Sequence, residues 1–122
     1  MLYLYCSAQG DPVKRKALKV VIGTASFYSK RLEGTQTATG EIFHHNLLMA
    51  ASNSFKLNTW VRVTNLKNNK SIVVRINDRM HVDMARIGRV VDLTRTAASE
   101  LDFIRRGLAR VKVEEVKDSI DL

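Results

Sequence analysis

Two acidic residues stand where this chain could do chemistry. Asp78 closes a β-branched run in Asn77-Asp78-Arg79, and Glu41 follows the small, polar Thr37-Ala38-Thr39-Gly40. A carboxyl at a strand end is held in place yet open to a substrate, so it can give and take a proton if its surroundings tune its pKa. The plainer role for such a residue is to accept backbone N–H groups. Asp92 lies inside an apolar run just ahead of Thr94 and reads as structural, because a carboxylate there is favoured by the helix that follows. His44 and His45 read as solvated loop residues, and Trp60, at a strand start, reads as packing. His81 follows Asp78 closely.

Other chemistries lack their residues. Three His without two-ligand helical spacing, and Cys6 alone near a terminus, make no zinc pattern, so no metal is expected. No Gly-x-Ser-x-Gly elbow supports a serine nucleophile. No Gly-rich phosphate loop is present, so no cofactor is expected. Lys plus Arg number 20 against 12 Asp plus Glu, a formal net charge of +8. That balance suits anionic partners (nucleic acid, lipid surfaces or acidic wall polymers) or, equally, a merely solvated basic surface. Aromatic residues are only 7% and are not interleaved with the basic ones as a stacking platform requires, so nucleic acid is not expected.

The elements that must position these groups read as mostly strands. The 122 residues suit one domain, and hydrophobic residues at 45% suffice for one core. With a single Cys no intrachain disulfide forms, and the fold must rest on that core. Residues 20–28 are β-branched and aromatic and predict a strand. Residues 29–40 are a Thr- and Gly-rich loop, and 41–43 and 47–51 are short apolar pieces. In 59–66, Val61 and Val63 face one way; in 71–77, Ile72, Val74 and Ile76 alternate with Val73, Arg75 and Asn77. These two strands form a hairpin through Lys67-Asn68-Asn69-Lys70, since Asn tolerates positive φ. Residues 78–88 read as irregular and 89–93 as a buried strand. Thr94 then caps one short helix over about 95–106, with Ala97, Leu101, Ile104 and Leu108 on one face and Gly107 as its stop. Residues 108–116 alternate again. Several short strands with one late helix predict a mainly β fold, a small barrel or sandwich.

Residues 1–19 read as an N-terminal segment and linker, 20–116 as the domain and 117–122 as a tail. Met1 to Gln9 is short and apolar, with small residues before Gln9, and three readings stay open: the remnant of a signal peptide, a lipid-attachment site at Cys6, or an ordinary terminus. No stretch reaches the roughly 18 apolar residues of a membrane-spanning helix. The sequence fixes no oligomeric state.

Five blocks, in order, resemble the double-psi β-barrel domain of the rare lipoprotein A family. They are Gly23-Thr24-Ala25-Ser26-Phe27-Tyr28, Thr37 to Phe43, Val61-Arg62-Val63-Thr64-Asn65-Leu66, Val73 to Arg79, and Gly88-Arg89-Val90-Val91-Asp92-Leu93-Thr94. The resemblance implies a six-stranded double-psi barrel. It also implies the activity of septal-ring lytic transglycosylases, which cleave peptidoglycan between N-acetylmuramic acid and N-acetylglucosamine and leave 1,6-anhydro ends. The alternative is a non-catalytic module that binds wall glycan in the same groove. The implied partners are peptidoglycan glycan strands and the implied location is outside the cytoplasm, in the periplasm or loosely on the cell envelope. Asp78 matches the family's catalytic Asp and Glu41 its Gly-Glu acid, with Asn77, Arg79, His81, Ser52, Thr39 and Tyr28 expected to line the substrate site. Ser52 stands where the family has His after Ala50-Ala51, and Met80-His81 stands in place of Gly-Pro. His81 is therefore expected to turn its ring to Asp78 as a substitute imidazole, and Ser52→His is expected to raise activity.

Overall fold

Strands form where β-branched residues alternate with polar ones, and the computed structural model, which describes residues 18–117, shows six of them. They are β1 (Val20–Phe27), β2 (Met49–Ala51), β3 (Trp60–Asn65), β4 (Ser71–Asp78), β5 (Arg89–Leu93) and β6 (Ala109–Glu115). The expectations for residues 1–17, Cys6 included, and for 118–122 lie outside the described residues.

The sheet closes on itself in the order β1-β5-β2-β4-β3-β6. Two pairings are parallel, β1 with β5 and β2 with β4, and the rest are antiparallel. This closed six-stranded barrel is the architecture that the resemblance implied, and closure leaves no sheet edge unpaired. Val61, Val63, Val74, Ile76, Val91, Leu93, Val111 and Val113 fill its interior with no exposed surface. The β3–β4 turn is as expected, with Asn69 at a φ of 63°.

Each parallel pairing carries a register shift. Across β2 and β4, Ala50 pairs with Ile76 and Ala51 with Asp78, so Asn77 is an extra residue on β4. Across β1 and β5, Thr24 pairs with Arg89 and Ala25 with Val91, so Val90 is the extra one. A bulge of this kind re-aims side chains. It turns Asn77 inward, fully buried beside Ile76, and leaves Asp78 half-buried at the strand end. At the other bulge the backbone comes close to β1. A Cβ on Gly23 would lie 2.4 Å from Val90 Cγ1 and 2.9 Å from the Gly88 carbonyl, so only glycine fits.

The helices differ from the expectation of one spanning 95–106. Among the described residues there are two, α1 (Val82–Arg86) and α2 (Arg95–Glu100), besides a 3-10 turn at Lys30–Leu32. Helix α1 buries none of its residues, so no apolar periodicity marks it within a stretch that reads as irregular. Thr94 does cap α2, its hydroxyl accepting from Ala97 N at 3.3 Å. The helix stops at Asp102, which takes a φ of 62°, not at Gly107. Asp102 N donates to Ser99 O at 3.0 Å and Phe103 N to Ala98 O at 3.2 Å, the paired bonds of a Schellman stop. That stop turns Phe103 into the core, where it is 2% exposed, and leaves Leu108 outside at 48%. Leu47 and Leu48, which open the apolar piece at 47–51, are also exposed; burial begins at Met49.

Candidate active site

The site lies at the end of the barrel where β4 finishes. Asp78 Oδ1 accepts from the backbone N–H of Ala38 and of Arg79, both at 2.9 Å. Its Oδ2 accepts from the Tyr28 hydroxyl. Tyr28 comes just after β1, stacked on Phe43 with ring centroids 4.1 Å apart. Burial, and then the hydrogen bond to Asp78, push the Tyr28 hydroxyl's pKa well above its usual value, so it keeps its proton.

Glu41 is held by different partners. Arg75 Nη1 and Nη2 donate to its two oxygens at 2.9 and 2.6 Å, a bidentate pair. Thr39 Oγ1 donates at 2.6 Å and Asn77 Nδ2 at 3.4 Å. Arg75 above all, and then Thr39, bring the Glu41 carboxyl down to about 2, so it is an anion at any neutral pH. One loop serves both carboxyls. Ala38 N reaches Asp78, Thr39 Oγ1 reaches Glu41, and Thr39 N is tied to Asn77 O at 3.2 Å.

Asn77 lies beneath this pair. Its Nδ2 also meets Met49 Sδ at 3.1 Å, while its Oδ1 is buried without a hydrogen-bond partner. Turning the amide over would set that oxygen against the Glu41 carboxylate, so the orientation is fixed by charge.

Asp78 with Tyr28, and Glu41 with Asn77 and Thr39, thus form two hydrogen-bonded groups joined through the loop at Ala38. Arg79 supports them from the side, donating from Nη1 to Ser52 O at 2.5 Å and to Phe55 O at 2.7 Å. Two expected members do not join. Ser52 has no exposed surface; its Oγ donates to Val90 O at 2.8 Å and accepts from Ser54 N at 3.0 Å. Its backbone N–H donates to Asp78 O at 3.0 Å, so Ser52 ties the two bulges together and presents nothing to a substrate. His81 caps α1, its Nδ1 accepting from Asp83 N at 3.1 Å, with a side chain 70% exposed. The ring faces Asp83, not Asp78.

Asp92 is structural as expected, but its partners are Ser26 Oγ at 2.5 Å and Arg89 Nη1 at 3.1 Å, not a helix end. His45 is a correction to the solvated-loop reading. Its Nδ1 accepts from Arg95 N at 3.1 Å and its Nε2 reaches Ser29 O at 3.1 Å, so it joins this loop to α2. Arg75 is the site residue that sequence reasoning missed. The strand period puts it on the face opposite Val74 and Ile76, turned away from the core, and that was the available signal.

The paired carboxyls, one on the β4 bulge and one on the loop beneath Tyr28, occur within a match to a known family model. The lytic transglycolase model matches residues 20–113, so it covers both carboxyls and all six strands but the last residues of β6. The chain belongs to the rare lipoprotein A family. It is 44% identical over 95 residues to the endolytic peptidoglycan transglycosylase RlpA of Pasteurella multocida, a match covering 78% of this chain and 31% of that protein. The proteins of the same name from Neisseria meningitidis serogroup A and Pseudomonas aeruginosa PAO1 are 40% and 43% identical, over 77% and 79% of this chain and 38% and 27% of theirs. The chain thus spans about a third of the length of these relatives. Among solved structures, a Clavibacter michiganensis expansin superposes with a TM-score of 0.61 at 20% identity, covering 82% of this chain and 52% of the expansin. The Streptomyces papain inhibitor superposes at 0.64 and 18%, covering 81% and 96%. That an inhibitor has this barrel shows that the fold alone does not set the activity.

Proposed function

We propose that this family member is an endolytic peptidoglycan lytic transglycosylase. The observation that carries the reading is the unlike setting of its two carboxyls, Glu41 in a bidentate pair with Arg75 and Asp78 against backbone N–H groups and the Tyr28 hydroxyl. Glu41 is fixed as an anion by Arg75 and cannot serve as an acid near neutral pH. The proton work then falls to Asp78. Its Oδ1 is committed to two backbone N–H donors, so Oδ2 is the oxygen that carries a proton. The Tyr28 hydroxyl beside it can donate to the carboxylate or accept from the acid, and so suits both states.

In this mechanism Asp78 protonates the glycosidic oxygen as the bond to the muramic anomeric carbon breaks. The muramic 6-hydroxyl attacks that carbon, and its proton passes to the Asp78 carboxylate. The products are a 1,6-anhydro end and a free hydroxyl on the N-acetylglucosamine. No water enters, so no second carboxylate is needed to activate one. Glu41 supplies a fixed negative charge while positive charge develops at the anomeric carbon. Tyr28, Thr39, Asn77 and Arg79 act as positioning residues. Work on this substrate requires export to the periplasm or cell envelope.

A glycan-binding module is the second reading, favoured by one observation: nothing in the site replaces the family's His, since Ser52 is buried and His81 faces Asp83. Mass spectrometry of digested sacculi separates the two. The enzyme releases anhydro-muropeptides, and Asp78→Asn lowers that release ~10²–10⁴-fold. Sedimentation with sacculi but no anhydro ends from wild type assigns the module instead.

A further inference from the structure

The strongest unassigned feature lies at the other end of the barrel. Strand β4 begins at Ser71, paired with Thr64, and ends at Asp78. Its two ends are ~23 Å apart at the rise of a strand. At the Ser71 end a cavity of about 500 Å³ opens between the β3–β4 turn and the segment joining α2 to β6. Its volume is in the range of small-molecule sites, roughly 300–1,000 Å³.

Two asparagines build this cavity. Asn65 Nδ2 and Asn68 Nδ2 both donate to the Leu101 carbonyl, at 2.9 and 3.1 Å. Asn65 Oδ1 also accepts from Lys67 N at 3.0 Å, and Leu66 N donates to Arg110 O at 3.0 Å. The turn, the Schellman stop and the start of β6 are therefore fixed to one another.

The charge of the lining is one-sided. Lys67, Arg106 and Arg110 line the cavity, and none has an ion-pair partner among the described residues. The one lining carboxylate, Asp102, already pairs with Lys70 at 3.7 Å. Three cations against one carboxylate leave a surplus of two positive charges. Phe103 and Leu108 give the same cavity an apolar side.

We infer that this cavity binds a phosphate ester. Two guanidinium groups offer forked donors that match phosphate oxygens, and the surplus charge matches a phosphate monoester dianion. The apolar side suits the carbon skeleton of an esterified glycerol or sugar. The cavity lies apart from Asp78, so the inference does not depend on the transglycosylase reading.

The test is an NMR titration of the chain with glycerol 3-phosphate, with glycerol as the neutral control. Saturating shifts are expected at the Asn65 and Asn68 side-chain amides and along 101–110, with the Asp78 region unmoved. The variant Arg106→Gln/Arg110→Gln, altered at exposed positions only, weakens binding tenfold or more. Vesicle sedimentation then locates the phosphate. If phosphatidylglycerol vesicles sediment wild type but not the variant, the ester is a lipid headgroup. If glycerol 3-phosphate binds but the vesicles do not, it is a soluble or polymeric ester. No saturation by about 10 mM, shifts spread evenly over all basic residues, or equal binding by the variant overturns the inference. Because the variant leaves Asp78 and Glu41 intact, its sacculus digestion matches wild type whichever way the titration falls.

Discussion

Replacing Glu41 by Gln removes one charge and keeps the shape, and it tests the central electrostatic claim. Gln Oε1 can still accept from Arg75 and Thr39, so the loop stays in place while the ion pair goes. Glu41 drops from an ordinary value of 4.5 to about 2 in the folded chain. For a fully buried group, a shift of that size corresponds to about 3 kcal/mol. The Glu41 side chain is 41% exposed, and solvent screening reduces the contribution to about 1 kcal/mol. A carboxyl with a lowered folded pKa stabilises the fold above its unfolded value near 4.5, and that stabilisation is lost as pH falls towards 2. Glu41→Gln is therefore expected to melt about 4–8 °C below wild type at pH 6 and to converge with it near pH 2. Calorimetry across that range measures the difference, and a ¹³C titration of the Glu41 carboxyl checks its cause. Across pH 4–8 the substitution should lower anhydro-muropeptide release by a constant factor, because Glu41 is ionised throughout. A Glu41 that titrates near 4.5, or a melting difference that does not change with pH, refutes the argument.

Three other outcomes are expected. Tyr28→Phe keeps the stack on Phe43 but removes the hydroxyl that bonds Asp78, and loss of one hydrogen bond, about 0.5–1.5 kcal/mol, lowers kcat/KM in the muropeptide assay roughly twofold to tenfold. Ser52→His destabilises the fold and raises no activity, because Ser52 is fully buried with its hydroxyl doubly bonded; overpacking of about 1–3 kcal/mol should appear in urea unfolding. Gly23→Ala destabilises by a similar amount, about 1–3 kcal/mol, since its Cβ would meet Val90 and the Gly88 carbonyl, and a midpoint equal to wild type would show that the β5 bulge yields.

Much of the barrel was legible in the chain itself. The alternation in β3 and β4 set which side chains face inward, because a strand's side chains alternate whatever the strand pairs with. Asn69 marked the turn and Thr94 the cap, since both depend on local backbone chemistry. The five ordered blocks pointed to the family and to Asp78 and Glu41. Other features depended on contacts between distant segments. The bulge that buries Asn77 lies in the pairing of β4 with β2, a distant segment that the sequence of β4 alone does not specify. Glu41 stays ionised well below the usual carboxylate range because Arg75, 34 positions away, is brought onto it by barrel closure. Helix α2 ends early because the core takes Phe103, and a helix continuing to 106 would leave that ring outside. Residue type and period determine which side chains a strand offers to each face; only the closed barrel decides which of them meet, and so which charge is paired.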